Sequence, residues 1–191
     1  MRLEHLKAGD YSQSAWPGGT TRQLMIEPRE ALYKERGFLW RLSSALVELP
    51  ESDFTPLPDY DRQILILEGK LKLSHDAGAV IDLAPFEAHA FDGAASTHAW
   101  GRCRDFNLMT RKGRCAGSLS ALQPREPVSL FKPEEETFAF YCAQGQASIA
   151  AQGELIPLFR DETLLVSNGA GELSLAGEPG AILILARIDL V

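Results

Sequence analysis

The sequence predicts an all-β fold made of two similar barrels, because it contains an internal repeat, short alternating strands and few helical patterns. Landmark residues of the second half follow their counterparts in the first half at one constant spacing; the pairs are Gly69 and Gly145, Gly93 and Gly169, Gly101 and Gly177, and Arg111 and Arg187. Self-similarity at a fixed spacing indicates a duplicated unit. We therefore expect two copies of one jelly-roll-like β-barrel.

Each predicted element rests on a local pattern. Phe38–Val47 alternates apolar and polar residues with the period of two that is typical of a strand. Ile64–Leu73 predicts a hairpin with its turn at Gly69, and the repeat places a second hairpin at Gly145. Helical candidates are limited to Glu30–Glu35 and a short turn at Ser118–Leu122. Helix should be a minor component.

The repeat divides the chain into two copies and a linking segment. Residues 1–113 are predicted to form an N-terminal barrel that holds the ligand pocket, and residues 137–191 a C-terminal repeat with a structural role. Residues 114–136 are rich in Gly, Pro, Ser and acidic side chains and predict a connector. Exchange of strands between the barrels is compatible with this division.

Composition narrows the classes of partner and compartment. The 191 residues carry a formal net charge of −7 at pH 7, which argues against nucleic acid and anionic membranes as partners. Three cysteines without CxxC pairing predict a reducing compartment. The sequence shows neither an N-terminal apolar signal region nor an apolar stretch of the length that spans a membrane. We expect a cytoplasmic protein, and pairing of strand edges would allow a homodimer.

Two strand-rich copies in one chain resemble a bicupin, a fold that often holds a metal. A metal cupin needs an HxH pair and a carboxylate before the glycine that corresponds to Gly69, since several imidazoles must face one ion. Here residues 56–63 contain no histidine. The four histidines are scattered and form no HxH or HxxxH pair; they are His5, His75, His89 and His98. We therefore expect no metal and no cofactor.

Five segments, in order, resemble the motifs of the HutD/Ves family. They are Trp16–Arg22, Phe38–Ala45, Pro58–Arg62 running into Leu67–Gly69, Phe91–Gly93, and Asp105–Gly113. Pro17-Gly18-Gly19-Thr20 replaces an Asn-Gly-Gly-Gly run of the family. The resemblance implies a metal-independent bicupin, tied in some members to histidine utilisation and in others to cold or stress response. It also implies binding of an intermediate such as formyl- or formiminoglutamate.

Differences between the copies predict where the pocket lies. By alternation, Asp105, Asn107, Met109 and Arg111 share one face of their strand, and the repeat puts Ala181, Leu183, Leu185 and Arg187 at the same places. Leucine side chains can fill a barrel, whereas Asn and Asp need hydrogen-bond partners or a polar guest. The first copy is therefore the predicted binding module.

Two arginines stand in apolar surroundings that do not suit a surface charge. Arg41 lies between Trp40 and Leu42, and Arg62 precedes an apolar run. One interpretation pairs each with an internal partner, which would be Asp61, Glu68 or Asp105 for Arg62 and Asp53 or a backbone carbonyl for Arg41. The other makes them ligand contacts, because a guanidinium is a planar fork that matches a carboxylate.

The predicted ligand-binding set is Trp16, Thr21, Arg41, Arg62, Phe91, Asn107 and Met109. Asn107 would read an amide or formyl group, while the aromatic residues and Met109 form apolar walls. Gly18–Thr21 either binds an anion through backbone N–H groups or simply forms a turn. No catalytic residue is assigned, and a non-catalytic binder, acting as a modulator or sensor, is favoured. The alternative is a metal-free isomerase or hydrolase that uses Asp61, Asp105 or His89 as acid or base.

Overall fold

The structure is a computed structural model that describes residues 1–191. It is 64% strand and 3% helix, which confirms the expected all-β class. The helical part consists of two 3₁₀ turns at Ala8–Asp10 and Tyr33–Glu35. The second turn overlaps the helical candidate at Glu30–Glu35, and neither turn has the length and apolar character needed to cross a membrane.

Nineteen strands make up the fold. The strands of the first half are β1 (Arg2–Leu6), β2 (Ser12–Trp16), β3 (Gly19–Glu27), β4 (Trp40–Val47), β5 (Glu51–Asp53), β6 (Tyr60–Gly69), β7 (Leu71–His75), β8 (Ile81–Leu83), β9 (Ala88–Asp92), β10 (Thr97–Trp100) and β11 (Cys103–Arg111). The remaining strands are β12 (Cys115–Leu122), β13 (Val128–Lys132), β14 (Glu136–Gln144), β15 (Gln146–Ala151), β16 (Glu154–Phe159), β17 (Thr163–Ser167), β18 (Gly171–Gly177) and β19 (Ile182–Leu190).

The N-terminal unit comprises Tyr11–Ala116 together with Val191. Its sheets have the strand orders β2-β3-β4-β11-β6-β9 and β5-β10-β7-β8. Apolar side chains of both sheets, including Ile64, Leu73 and Ala99, form one buried cluster. Alternation along each strand therefore gives the six-stranded sheet an inner face, part of which is apolar core and part of which carries polar residues.

The C-terminal unit comprises Met1–Asp10 and Gly117–Leu190. Its sheets have the strand orders β1-β17-β14-β19-β12 and β13-β18-β15-β16. The first strand of the chain completes this unit, since Leu3 pairs with Val166 in the antiparallel ladder of β1 and β17. Each unit is thus a pair of antiparallel sheets, as expected for a duplicated cupin.

The segment expected to be a connector, residues 114–136, is corrected by the structure. It contains β12 and β13 in full, and its last residue, Glu136, begins β14. The helical turn expected at Ser118–Leu122 is wrong for the same reason, because those residues lie in β12. Gly, Pro and Ser suggested a loop, yet Leu119 is buried and Val128–Lys132 pairs along its whole length with β18. Pairing with distant strands overrides the local preference.

The repeat is visible in the strands, but its glycines do not form hairpins. β6 and β7 lie in different sheets of the N-terminal unit, and β14 and β15 in different sheets of the C-terminal unit. Gly69 and Gly145, with φ of 84° and 70°, therefore mark places where the chain crosses from one sheet to the other. The hairpin prediction is wrong because a short apolar–glycine–apolar pattern specifies a reversal without specifying which strand the next segment pairs with.

The spacing of the repeat changes in the last strand. Arg62 pairs with Met109, whereas Phe138, the repeat counterpart of Arg62, pairs with Arg187. A constant spacing would have put Leu185 opposite Phe138, so the last strand is displaced by two positions. The counterparts of Asp105 and Asn107 in the last strand are therefore Leu183 and Leu185, rather than Ala181 and Leu183 as the constant spacing predicts. The conclusion that polar residues in the first copy become apolar in the second is unchanged.

Candidate functional site

A cavity of about 450 Å³ lies inside the N-terminal unit. Its wall combines two arginines with hydroxyl, amide, carboxyl and apolar groups; the lining residues are Ser14, Trp16, Pro17, Thr21, Tyr33, Arg41, Ser43, Ala45, Val47, Ser52, Asp53, Phe54, Thr55, Arg62, Asp105, Asn107 and Met109. Six of the seven ligand-binding residues expected from the sequence are among them. Phe91 does not line the cavity.

Strand register explains why the two arginines meet. Met109 of β11 lies opposite Arg41 of β4 and, on its other side, opposite Arg62 of β6. The three side chains therefore form one row across neighbouring strands, and all three are buried. Because directly opposed residues lie on the same face of a sheet, the row brings two guanidinium groups to one end of the cavity.

Two further rows supply the polar wall. Asn107 lies opposite Ser43, and Asp105 lies opposite Ala45, which in turn lies opposite Thr21 of β3. These positions face the cavity because side chains two residues apart on a strand share a face. The three rows arrange cationic, amide and carboxyl groups in sequence along the inner face of one sheet.

Arg41 is held without a carboxylate. Its Nε donates to Oε1 of Gln23 at 2.8 Å, its Nη1 donates to Oγ of Ser43 at 3.1 Å, and its guanidinium carbon lies 4.3 Å from the centroid of the Tyr33 ring. Burial lowers the pKa of Arg41 to about 10. The group keeps its charge at neutral pH, and its neighbours orient it without neutralising it. Asp53, considered as a partner from the sequence, hydrogen-bonds to His98 instead.

Arg62, unlike Arg41, leaves its Nε hydrogen-bond donor without a partner. Its Nε is buried without a hydrogen-bond partner, and 8% of the residue is exposed. Its guanidinium carbon lies 4.9 Å from the Phe54 ring centroid and 5.0 Å from that of Phe91. Phe91 therefore supports Arg62 rather than forming a cavity wall. Burial lowers the pKa of Arg62, as expected for a cation removed from water.

Asp105 is a buried carboxyl group on the same wall. Its Oδ1 accepts a hydrogen bond from the Ala45 N–H at 2.9 Å and another from Nδ2 of Asn107 at 2.7 Å. Burial raises the pKa of Asp105 to about 7 in spite of these donors and of the charge of Arg62. Asn107 thus commits one amide hydrogen to Asp105, which leaves its second amide hydrogen and its carbonyl oxygen for other partners.

Of the three side chains considered as acid or base from the sequence, Asp105 is the one that lines the cavity. Asp61 is exposed on β6. His89 lies outside the lining and forms a 2.9 Å contact between its Nε2 and that of His75, and burial lowers the pKa of both histidines. Of these three, Asp105 is therefore the one placed to transfer a proton at this cavity.

Trp16 stands beside a tight turn. Its indole ring covers Gly18, since a Cβ added to Gly18 would lie 1.9 Å from the ring. Trp16 pairs with Gly19 in the ladder of β2 and β3, so Pro17 and Gly18 form the turn between the two strands. Of Gly18–Thr21, only Gly18 lies in this turn, as in the second interpretation, while Gly19–Thr21 begin β3 and Thr21 lines the cavity.

Tyr33 and Phe54 were not predicted, although each contacts one of the two arginines. Tyr33 lies in the 3₁₀ turn between β3 and β4, and Phe54 follows β5. Neither belongs to a regular alternating strand, so period-two patterning could not assign it to a face. Aromatic residues in loops near predicted buried arginines were the available signal, because guanidinium groups stack on aromatic rings.

The residues of this site do not suit a metal ion. Two guanidinium groups stand beside Asp105 on the wall, and they offer donors only, which cannot ligate a cation. No group of three or more His, Cys, Asp or Glu side chains is placed to hold one.

In the C-terminal unit, Leu183 and Leu185 belong to a continuous apolar cluster, so that core is filled by side chains.

Known structures resemble the whole chain. The protein PA5104 of Pseudomonas aeruginosa PAO1, described as a conserved protein of unknown function, is 26% identical with a TM-score of 0.88, over 99% of this chain and 100% of that chain. HutD of Pseudomonas fluorescens SBW25, solved in a formate condition, is 23% identical with a TM-score of 0.82, over 100% of both chains. The Escherichia coli pirin YhhW, solved in complex with nickel(II), is 11% identical with a TM-score of 0.72, over 100% of both chains.

These likenesses are to cupin-type proteins, and the more distant ones concern the fold alone. No curated protein matches the sequence significantly. The family model described as HutD matches residues 8–184, which is nearly the whole chain. The chain therefore belongs to the HutD family.

Proposed function

We propose that the protein binds a small carboxylate metabolite in the cavity of the N-terminal unit. The observation that carries this proposal is the pair of buried arginines, Arg41 and Arg62, on one wall with no carboxylate bonded to either. A buried charge without a bonded counter-ion is costly, and an anion that bonds to the arginines would offset that cost. A guanidinium is also matched to a carboxylate by its planar, two-pronged set of donors.

The rest of the wall limits the kind of anion. Asn107 offers an amide group, Met109 and Phe54 present apolar surface, and the volume of about 450 Å³ falls within the usual range of small-molecule sites, roughly 300–1,000 Å³. A short chain with a carboxylate at one end and a hydrogen-bond donor such as an amide N–H would meet these groups. Formyl- and formiminoglutamate, which the family resemblance suggests, have both features, and their binding would make the protein a modulator or sensor in histidine utilisation.

A thermal-shift screen tests the proposal. The panel contains formate, acetate, succinate, N-formyl-L-glutamate and formimino-L-glutamate, with their uncharged amides as controls. A ligand present at about 100 times its Kd stabilises the folded state by about 2.7 kcal/mol. We expect at least one carboxylate to raise the midpoint and its amide to have no effect. If none of the carboxylates shifts the midpoint at any concentration, the proposal is wrong.

Arg62→Met is the matching variant. Loss of a buried charge partner typically costs a complex about 2–5 kcal/mol, so carboxylate affinity should fall by roughly 30-fold or more. The control is Arg102→Met, which removes an exposed arginine that lies outside the cavity and donates from its Nε to the carbonyl oxygen of Glu48 at 2.8 Å. Calorimetry should show unchanged affinity in the control. Intact binding by Arg62→Met would remove this residue from the site.

A metal-free enzyme is the second candidate, and Asp105 favours it. A carboxyl group whose pKa burial raises to about 7 can act as acid or base near neutral pH. Incubation of each panel compound with the protein, followed by NMR, would reveal turnover. Conversion that the Asp105→Asn variant fails to perform would establish the enzyme. If the NMR spectra of all compounds stay unchanged over many hours at high protein concentration, the enzyme hypothesis is rejected and the binding function is kept.

A further inference from the structure

The two oxygens of Asp105 have different surroundings. The Ala45 N–H and the Asn107 amide both donate to Oδ1. Since both donors reach the same oxygen, Oδ2 is the atom on which a proton would sit. The register of β11 shifts between Arg104 and Asp105, and Asp105 lines the cavity together with Arg41 and Arg62. The carboxyl group therefore faces the place where the proposed anion would bind.

Asp105 carries a carboxyl group, as the proposed ligand does, and it lines the same cavity. Its charge interacts with the charges of both Arg41 and Arg62, although it forms no bond with either. A bound carboxylate would lie in the positive potential of the same two arginines and would form the bonds to them that Asp105 does not form. Two carboxylates that share one desolvated site do not both stay ionised, and one of them then holds a proton.

Other groups around the site do not replace Asp105 as a proton acceptor near neutral pH. The charged and titratable side chains that line the cavity or interact electrostatically with Asp105 or the arginines are Tyr33, Arg36, Arg41, Asp53, Arg62, His75, Cys103 and Arg104. Burial lowers the pKa of His75 and raises the pKa of Cys103 to about 12. The Asp53 side chain is 82% exposed, where water screens its charge.

We propose that the site binds a carboxylate together with one proton, which Asp105 takes up on Oδ2 and donates as a hydrogen bond to the bound anion. This inference rests on the proposed carboxylate site and names its specificity: an anion with an oxygen that can accept from Asp105 while the arginines hold it. An anion that leaves Asp105 ionised is rejected by repulsion between like charges. A bond from a carboxylic acid to a carboxylate belongs to the strong, charge-assisted class.

The affinity for the anion depends on pH because the pKa of Asp105 differs between the free protein and the complex. Burial places the pKa of Asp105 at about 7 in the free protein, and a bound anion raises it further. Above that value the free protein has lost the proton that the complex needs, so binding must take one up. Affinity should then fall as the pH rises, by up to about tenfold per pH unit above about pH 7. The probes remain ionised in this range because carboxylic acids titrate near pH 4.

Calorimetry with N-formyl-L-glutamate, and with formate in parallel, measures the proton directly. Titrations in paired buffers that differ in ionisation enthalpy, HEPES and Tris at about pH 8 and MES and Bis-Tris near pH 6, give the number of protons taken up per ligand at each pH. We expect close to one proton at about pH 8 and a small fraction of one near pH 6. Binding without proton uptake at about pH 8 overturns this inference and leaves the carboxylate site standing. Absence of binding at both pH values overturns this inference and the proposed carboxylate site.

Asp105→Asn is the matched variant, because its amide can accept the two bonds at one end and donate from the position of Oδ2. It imitates the protonated acid. We expect pH-independent affinity for the same two probes, equal to that of the unmodified protein near pH 6, with no proton uptake. The control Asp61→Asn changes an exposed carboxylate next to Arg62 and should keep the full pH dependence. If the affinity of Asp105→Asn still depends on pH, the assignment of the proton to Asp105 is wrong. If this variant does not fold, the number of protons taken up by the unmodified protein tests the inference instead.

Discussion

At the scale of single residues, Asp105 makes the stability of the fold depend on pH. Its pKa is raised from 3.8 to about 7 by burial, so between these values the folded protein keeps a proton that the unfolded chain has released. The folded state is then favoured at low pH, and its stability falls as the pH rises from about 4 to about 7. Above that window the ionised group remains as a constant cost.

Asp105→Asn should therefore stabilise the protein at high pH. The substituted amide avoids ionisation, and the gain at about pH 8 is on the order of 4 kcal/mol at most, since each pKa unit corresponds to about 1.4 kcal/mol. At about pH 4 the variant and the unmodified protein should be alike. Urea unfolding of both proteins at the two pH values measures the difference. A variant that is less stable than the unmodified protein at about pH 8 would contradict this account of Asp105.

Residue-scale predictions from the sequence succeeded where alternation applied. Arg41, Asn107 and Met109 lie in regular strands, and their shared inner face follows from the period of two. Phe91 was misplaced for a different reason. Its face was consistent with the cavity, but Arg62 and Phe54 lie against it. Which of several inward side chains reaches the open space depends on packing, which a one-dimensional pattern does not contain.

At the scale of elements, Gly69 and Gly145 show how equivalent crossings differ between the copies. Both have positive φ, of 84° and 70°. A Cβ on Gly69 would lie 2.4 Å from the carbonyl oxygen of Arg102, whereas one on Gly145 would lie 3.1 Å from Cα of Ala181. The first clash is with backbone that passes close by, and it cannot be relieved by turning a side chain.

Gly69→Ala should destabilise the protein more than Gly145→Ala. Each substitution costs roughly 1–2 kcal/mol for the left-handed conformation, and Gly69→Ala adds the collision with Arg102. Chemical unfolding followed by hydrogen exchange of each unit provides the measurement, since the two units need not unfold together. An equal loss in both variants would indicate that the backbone near Arg102 moves aside easily.

At the scale of the whole molecule, the first ten residues belong to the C-terminal unit although the proposed site lies in the N-terminal unit. β1 pairs with β17 along its whole length, and Met1 and Leu3 pack against the apolar cluster of that unit. The sequence assigned residues 1–113 to the N-terminal barrel, and the structure corrects this for the first ten residues. An exchange of strands between the barrels was allowed, but β1 could not be identified as the exchanged strand, because pairing with a partner near the other end of the chain depends on the completed fold.

Removal of residues 1–10 should therefore separate stability from binding. We expect faster hydrogen exchange in β14 and β17, because β17 would become an unprotected edge strand. Affinity for the carboxylate identified by the screen should stay within about twofold, since none of the deleted residues lines the cavity. Calorimetry and exchange on the same preparation test both parts. Loss of binding while the N-terminal unit stays folded would contradict the conclusion that residues 1–10 serve the C-terminal unit alone.

The sequence by itself determined the all-β class, the duplication and the family, because alternation, glycine spacing and motif order are properties of neighbouring residues. It also determined which copy keeps polar residues on its inner face. Only the tertiary structure decided that Met109 separates Arg41 from Arg62 in one row, that neither arginine bonds to a carboxylate, and that Tyr33 and Phe54 complete their surroundings. Those facts depend on register between β4, β11 and β6 and on loops between strands. Register arises from pairing across the whole sheet, and local preferences do not specify it.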